Sequence, residues 1–283
     1  MQDLSIAKSI LVTGSNKGIG YGILKGLLQK NKNYKLILTS RNEELGGISL
    51  NELRTEFPEK KNSLYYHQLD ITDKESIKNC LEWVRKEFGQ IDILVNNAAV
   101  AQKGSKFDTE VFDLTFSPNV YGTINLTESV IEQDLISKNG KIIMIGSIAG
   151  LLSRLTKKEL QNEFTSQDLE VDKLKELSKR FRDAIEFNRL EQEGWPRSVY
   201  SVSKMIINVY PRILAKRKEI IERNIGVYSC HPGWVKTDMA GPNAPLSLEE
   251  GVVTPIHVIE LEDGINPERQ GKYYDCCNIA NLI

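Results

Sequence analysis

The stretch Thr13-Gly14-Ser15-Asn16-Lys17-Gly18-Ile19-Gly20 decides the fold. It follows an apolar run at 9–13 and precedes a helical pattern. Glycines at such a junction let the chain turn tightly and bring its backbone close to a pyrophosphate. The helix N-terminus then offers free N–H groups and a positive dipole end to phosphates. The stretch therefore predicts a dinucleotide site, although a glycine-rich loop alone also fits an ordinary strand-to-helix turn.

Short apolar runs rich in β-branched residues alternate with helical segments along the chain. They lie at 9–13, 35–39, 64–68, 91–95, 141–145, 226–230 and, more weakly, 271–274. This alternation predicts a Rossmann-like α/β fold, a doubly wound parallel seven-stranded sheet with helices on both faces. Without repeats or low-complexity linkers, residues 1–283 are expected to form one domain, with ligands beyond the carboxyl ends of the strands.

One segment departs from this rhythm. Residues 153–193 are highly charged, and Leu174, Leu177, Phe181 and Ile185 recur three and four residues apart. That spacing predicts an inserted amphipathic helix. Capping-box patterns predict further helix starts, at Thr72-x-x-Glu75, Thr156-x-x-Glu159 and Ser247-x-x-Glu250.

Composition excludes several function classes. The 37 Lys and Arg residues nearly balance the 38 Asp and Glu residues, so no net field favours nucleic acid or an anionic membrane. No apolar stretch approaches the roughly 18 residues of a membrane helix, and the amino terminus lacks a charged leader region, so a cytoplasmic location is expected. The four cysteines and three histidines form no CxxC pair or cluster, so neither a metal site nor a disulfide framework is predicted.

The residues after the second apolar run predict which dinucleotide binds. An acidic residue there would bond the ribose hydroxyls of NAD, but this chain has Ser40 and Arg41. Arg41 and Lys17 together would clamp the 2'-phosphate of NADPH, because a guanidinium suits bidentate contacts. The alternative is that both are ordinary surface cations.

Tyr200 and Lys204 are four residues apart and so share one face of a helix. A phenol has a pKa of about 10, and a fixed positive charge nearby would bring that value closer to neutral pH. Such a tyrosine can donate a proton to a carbonyl oxygen as hydride reaches the carbon. This spacing alone often arises by chance.

Two further elements occur in the right order, namely Asn96-Asn97-Ala98-Ala99 after the fourth run and Gly146-Ser147 after the fifth. With the glycine loop and the Tyr–Lys pair, the chain resembles the short-chain dehydrogenase/reductase family, whose hallmarks are TGxxxGIG, NNAG, a strand-end serine and YxxxK. The resemblance runs from about residue 9 to residue 274.

Three stretches resemble the monomeric NADPH-dependent carbonyl reductases of that family: 16–20, Glu193-Gly194-Trp195-Pro196 and the segment 232–242. Tyr200 also lies 53 residues after Ser147, a longer interval than in most members. In the carbonyl reductases the extra helices cover a surface that others use for oligomerisation. The resemblance therefore implies a monomer.

The resemblance assigns catalytic roles residue by residue. Tyr200 would be the general acid, and Ser147 would hold the substrate oxygen. Lys204 would bind the nicotinamide ribose and depress the pKa of Tyr200. Asn119 would hold a water that relays protons to Lys204, unless it is merely a turn residue.

The resemblance also implies a cofactor set. It comprises Gly14, Asn16, Lys17, Gly18, Ile19, Gly20, Arg41, Asp70, Ile71, Asn97, Ala98, Tyr200, Lys204, Pro232, Gly233, Val235 and Thr237. Asp70 and Ile71 would lie by the adenine. Asn97 and Ala98 would lie by the adenosine ribose. The structural alternatives are that Asp70 caps the next helix and that Asn97 ties strands together.

The segment after the sixth run would fold over the nicotinamide. Val235 and Thr237 would contact the carboxamide and pyrophosphate. Trp234 and Met239 would form an apolar wall of the substrate pocket, with Ser147 as its polar anchor, unless they are core residues. Such a pocket suits hydrophobic quinones, aldehydes and ketones, with broad specificity.

Two other functions remain open on the sequence alone. One is a reductase of cyclic terpenoid or alkaloid ketones with the same insertion. The other is a protein that binds NADPH as a sensor or scaffold without turnover. The acid and its partners argue against the second, because a non-catalytic binder has no use for them.

The chain departs from the family pattern at four places. Ala99 replaces a glycine, which is harmless unless the backbone there needs positive φ. Pro118 directly precedes Asn119, where it restricts the backbone, and Pro211 falls inside the helix of Tyr200. His231 stands where some carbonyl reductases have a cysteine associated with glutathione-linked substrates, and it is expected to be structural.

The assignment of the cofactor phosphate makes one prediction. Arg41→Asp should raise the KM for NADPH by about 10- to 100-fold, because a charge-assisted contact is lost and a repulsion added. Steady-state kinetics with NADH, which lacks the 2'-phosphate, provide the control and should change little. Equal effects on both cofactors would remove Arg41 from the site.

Overall fold

The computed structural model describes residues 7–30 and 32–283. Residues 1–6, on which the expectation of a missing leader region partly rests, lie outside the described residues. Within the described ranges, no helix is long and apolar enough to cross a bilayer.

The sheet has eight strands in the order β3-β2-β1-β4-β5-β6-β7-β8. Their bounds are β1 Lys8–Val12, β2 Tyr34–Ser40, β3 Leu64–Gln68, β4 Ile91–Asn96, β5 Ile136–Ile145, β6 Gly226–Cys230, β7 Tyr273–Asp275 and β8 Asn278–Ala280. The first seven pair in parallel, and their interior residues are mostly buried because helices cover both faces. The predicted doubly wound Rossmann-like fold is confirmed.

The prediction of seven strands missed β8, which pairs antiparallel with β7. The two strands are joined by Cys276 and Cys277, which both have positive φ (45° and 63°). Tight hairpins need positive φ at both central positions and usually place Asn, Asp or Gly there. Two cysteines give no such signal in the sequence.

Twelve α-helices lie in the described part of the chain. They are α1 Gly18–Leu28, α2 Glu43–Glu56, α3 Lys74–Phe88, α4 Thr109–Phe116, α5 Thr123–Glu132, α6 Lys158–Thr165, α7 Val171–Glu186, α8 Leu190–Glu193, α9 Val199–Leu214, α10 Lys218–Glu222, α11 Leu248–Gly251 and α12 Val253–Ile259. A π-helical turn, Ser117–Gly122, joins α4 to α5. One apolar core lies between the sheet and α3, α4, α5 and α9, and the other lies under α1, α2 and α12.

The capping-box predictions gave mixed results. Ser247 and Glu250 form the reciprocal box at α11 as expected. Thr72 is not the N-cap of α3, because Asp73 accepts the N–H of Glu75 instead. A carboxylate next to the threonine is the better acceptor for a helix N-terminus.

The predicted box at Thr156 is also wrong. Helix α6 follows Lys157 and has no side-chain cap. Thr156 is instead tied to the far end of the insertion, where its N–H donates to Gly194 O at 3.0 Å. This hydrogen bond to Gly194 replaces the capping bond that the sequence predicts at Thr156.

The helical insertion is formed by α6, α7 and α8. Helix α7 buries Leu174, Leu177 and Phe181, as its spacing predicts. The Phe181 ring lies 6.0 Å from Phe112 of α4 and 5.2 Å from Trp195, which precedes α9. The insertion therefore packs on both α4 and the helix that carries Tyr200.

Candidate active site

The candidate site lies at the carboxyl edge of the sheet. The strand order reverses between β1 and β4, which is where ligands bind in doubly wound folds. The glycine loop follows β1, Asn97 follows β4, Ser147 follows β5 and His231 follows β6. All the predicted site segments therefore meet along one edge.

The glycine loop has the backbone geometry that its sequence predicts. Gly14 and Gly18 both have φ of +59°, a conformation that other residues adopt with strain. A Cβ at Gly14 would lie 2.9 Å from Ala98 Cα, and one at Gly20 would lie 2.6 Å from Asn97 Nδ2. Helix α1 has no side-chain cap, so its first N–H groups remain free to bind a phosphate.

Asn97 ties the glycine loop to the end of β4. Its Nδ2 donates to Thr13 O at 2.8 Å and to Gly14 O at 3.1 Å, and Thr13 Oγ1 accepts the N–H of both Asn97 and Ala98. The structural role is thus real, and the ribose contact stays a prediction. Ala99 does not have positive φ, so the loss of the family's glycine needs no compensation.

Asp70 makes a turn before α3. Its Oδ1 accepts the N–H of Thr72 at 2.9 Å and the Thr72 hydroxyl at 2.7 Å. It is not the helix cap, since Asp73 has that role. Ile71 is buried in the core, and its contact with the adenine stays a prediction.

The two predicted phosphate-binding cations differ in their surroundings. Arg41 is exposed directly after β2, and within the described residues it forms no ion pair. Lys17 Nζ lies 2.9 Å from Asp238 Oδ2, with both side chains more than two-thirds exposed. An ion pair this exposed to water is weak, so it does not commit Lys17 to Asp238, and the phosphate contact of Lys17 stays a prediction.

Tyr200, Lys204 and Ser147 lie together where α9 passes the end of β5. Lys204 Nζ is 5.9 Å from the centre of the Tyr200 ring and donates to Ile145 O at 2.8 Å. Ser147 Oγ accepts the N–H of Ala149 at 3.1 Å, which orients the hydroxyl. Helix α9 continues past Pro211, and the placement of Tyr200 and Lys204 is undisturbed.

Burial controls the charge of this cluster. It raises the pKa of Tyr200, while hydrogen bonding to the Ser147 hydroxyl acts in the opposite direction. It lowers the pKa of Lys204 to about 8. The expected depression of the Tyr200 pKa by Lys204 is therefore not what this geometry produces, because removal of the phenol from water dominates.

Asn119 lies within the π-helical turn and is buried. Its Oδ1 accepts the N–H of Val100 at 2.7 Å, and its Nδ2 donates to Val100 O at 2.9 Å and to Ser203 Oγ at 3.1 Å. Pro118, in the first turn of the π-helix, does not prevent this placement. Both amide protons are used, and only one lone pair of Oδ1 remains for a water. The proton-relay role stays a prediction.

Sequence reasoning missed Asn208. This buried residue lies one turn beyond Lys204, and its Nδ2 donates to Ser147 O at 2.9 Å and to Gly150 O at 3.0 Å. Its Oδ1 accepts the N–H of Ser147 at 3.3 Å. The sequence does carry a signal for this residue. Asn208 is a polar residue within an apolar run, and it lies on the same helical face as Tyr200 and Lys204. Asn208 holds the strand-end serine in place.

The segment after β6 follows a fixed path. Val235 pairs with Leu246, and Thr237 Oγ1 donates to Val235 O at 3.3 Å and accepts the N–H of Ala240 at 3.3 Å. A Cβ at Gly18 would lie 3.7 Å from a Thr237 methyl, so this segment touches the glycine loop.

Trp234 and Met239 are exposed by 53% and 41%. They are therefore not core residues, and the alternative interpretation of them is wrong. Ile148, directly after Ser147, is exposed by 41% and adds to the apolar surface near the cluster. Their contact with a substrate stays a prediction.

Comparison with known proteins gives concordant results. Residues 8–157 match the family model described as short chain dehydrogenase. The chain is 34% identical to carbonyl reductase [NADPH] 1 of Mus musculus over 269 residues, which cover 93% of each chain. It is 34% identical to carbonyl reductase [NADPH] 3 of Homo sapiens over 273 residues, 94% of this chain and 96% of the relative.

Solved structures share the fold. Salutaridine reductase from Papaver somniferum superposes with a TM-score of 0.83 at 24% identity, covering 95% of this chain and 100% of the other. NADPH-bound carbonyl reductase from chicken fatty liver gives 0.66 at 23% identity, covering 94% and 95%.

The contacts of Asn208 make a prediction. Asn208→Ala should lower kcat/KM for carbonyl reduction by about 10- to 100-fold, because the Ser147 hydroxyl loses its fixed position. NADPH binding, measured by fluorescence titration, should change far less. The matched control is Asn125→Ala on the exposed face of α5. Unchanged kcat/KM in a folded Asn208→Ala protein would contradict a positioning role.

Proposed function

The chain belongs to the short-chain dehydrogenase family, and from this premise we propose that it reduces quinones, aldehydes and ketones to alcohols with NADPH. The relatives of about 34% identity that it matches over nearly its whole length are named carbonyl reductases [NADPH]. The observation that carries the proposal is the meeting of Tyr200, Lys204 and Ser147 at the end of β5.

The residues present fit a nicotinamide dinucleotide. The positive-φ glycines and the uncapped N-terminus of α1 would hold its pyrophosphate, and Arg41 with Lys17 would hold the 2'-phosphate. Lys204 would bond the nicotinamide ribose, and Val235 with Thr237 would face the carboxamide. When bound, NADPH supplies the hydride that reaches the carbonyl carbon.

Tyr200 would supply the proton that the reaction needs. Because burial raises its pKa, the phenol is protonated at neutral pH, which is the form required of a general acid. Ser147 would donate a second hydrogen bond to the same substrate oxygen and stabilise its developing negative charge. Lys204, with a pKa of about 8, is mostly protonated at pH 7 and can pass a proton on.

The pocket wall supports apolar substrates. Trp234, Met239 and Ile148 are large apolar side chains that are exposed and so available to form the wall of a substrate pocket. Methionine adapts its shape to different ligands, which fits broad specificity.

We also propose that the protein is a cytoplasmic monomer. The insertion packs its apolar face on α4 and α9 and covers surface that an exposed helix pair could otherwise use for association. The four cysteines form no CxxC pair, and a chain without a disulfide framework suits a reducing compartment. Sedimentation equilibrium tests whether the protein is a monomer.

The proposed function is tested by following NADPH loss in the presence of quinones, aromatic aldehydes and cyclic ketones. Turnover of quinones and aldehydes supports a carbonyl reductase, whereas turnover of cyclic terpenoid or alkaloid ketones alone would favour the more specialised reductase. NADPH binding without turnover of any carbonyl compound would overturn the proposal in favour of a sensor.

Tyr200→Phe should reduce kcat by about 10²- to 10⁴-fold, because the ring stays and only the proton donor is lost. NADPH affinity, measured by fluorescence titration, should remain nearly unchanged. Tyr65→Phe removes the same hydroxyl from strand β3, away from the site, and should keep full activity. Full activity in Tyr200→Phe would show that another group donates the proton.

A further inference from the structure

The side chain of His231 closes a tight turn at the start of the segment that follows β6. Its Nδ1 accepts the N–H of Gly233 at 2.9 Å, so this nitrogen carries no proton. The contact joins a side chain to the backbone two residues on, as the carbonyl of an asparagine does in an Asx-turn. Gly233 has φ of +86°, so the chain leaves this turn in a left-handed conformation.

The other edge of the ring is held by the β7–β8 hairpin. Nε2 lies 2.8 Å from Asp275 Oδ1, although it makes no well-aligned hydrogen bond there. The ring stacks on Tyr273 with a centroid distance of 5.8 Å and an interplanar angle of 15°. His231 itself is 6% exposed. The imidazole therefore connects the hairpin to the turn at Gly233.

We propose that His231 is a positioning residue that fixes the cofactor-facing segment Pro232-Gly233-Trp234-Val235 and makes its placement depend on pH. The inference rests on the proposed function only in taking NADPH as the ligand. Neutral imidazole accepts the Gly233 N–H. A second proton, on Nδ1, would place an imidazole N–H opposite the Gly233 N–H. Because both groups are donors, the hydrogen bond would be lost and the turn would open.

The groups around the ring act in opposite directions on that proton. From β7, the Asp275 carboxylate favours the imidazolium, while the stacked Tyr273 phenol is neutral. The Cys276 thiol bonds Asp275, and together with His231 it holds the pKa of that carboxyl below its usual range. From its own strand, the buried thiol of Cys230 is neutral because burial raises its pKa. The Gly233 N–H opposes protonation of the ring, because only the neutral imidazole can accept this hydrogen bond.

The experiment measures the NADPH dissociation constant by fluorescence titration between pH 5 and pH 8 in four proteins. They are wild type, His231→Asn, His231→Leu and Asp275→Asn. Asparagine offers Oδ1 to the Gly233 N–H but does not titrate, whereas leucine fills the space without an acceptor. Hydrogen exchange of the peptide 232–241 reports the turn without any cofactor.

Wild type should bind NADPH about five- to tenfold more weakly at pH 5 than at pH 8, the ratio expected for the loss of one hydrogen bond. His231→Asn should lose this pH dependence, and His231→Leu should bind weakly throughout, with faster exchange in 232–241. Asp275→Asn removes the carboxylate beside Nε2 but leaves the imidazole that accepts the Gly233 N–H, so it should keep the pH dependence that His231→Asn loses.

A pH profile shared by wild type and His231→Asn would overturn the proposal, as would unchanged exchange and affinity in His231→Leu. If His231→Leu does not fold, the comparison of wild type with His231→Asn still decides. Failure of the wild type to bind NADPH at any pH would overturn the proposed function itself. If NADPH binds but no carbonyl compound is turned over, the proposed function fails and the role of His231 in NADPH binding is unaffected.

Discussion

The active site depends on how closely helix α9 approaches the end of β5. Two glycines on the strand side allow this approach. A Cβ at Gly146 would lie 1.9 Å from Asn208 Oδ1, and a Cβ at Gly150 would lie 2.4 Å from the backbone carbon of Lys204. In the space so created, Asn208 bonds the backbone on both sides of the turn. The positions of the serine hydroxyl, phenol and ammonium follow from this single contact surface.

The same close packing controls the chemistry. Excluding water raises the pKa of Tyr200, which moves it further from neutrality. It lowers the pKa of Lys204, which moves it closer to neutrality. A buried lysine that donates to Ile145 O has a fixed place and a proton that it releases readily. The fold thus places a protonated phenol near an ammonium whose pKa is lowered.

Much of this arrangement could be predicted from the sequence, because the signals are local. Strand-length apolar runs and the glycine loop gave the sheet, and the Tyr–Lys spacing gave one face of a helix. What could not be predicted depends on contacts between distant segments. The pairing of Lys17 with Asp238 joins residues 221 positions apart, and the role of Asn208 is recognisable only when Ser147 lies beside it.

Two other misses have physical causes of the same kind. The hairpin before β8 uses cysteines in a backbone conformation that usually selects asparagine or glycine. The pKa of Tyr200 is raised and not lowered because burial outweighs any charge, and a sequence shows which charges are near but not how much water the fold removes.

The insertion between Ser147 and Tyr200 also constrains the order in which the molecule can form. The two residues are separated by 53 positions, and the intervening helices must be synthesised before α9 can dock. Closing so long a loop costs only about 0.6 kcal/mol more than closing one half its length. Because synthesis proceeds from the N-terminus, the glycine loop and strands β1–β4 leave the ribosome before the helix that carries Tyr200 and Lys204.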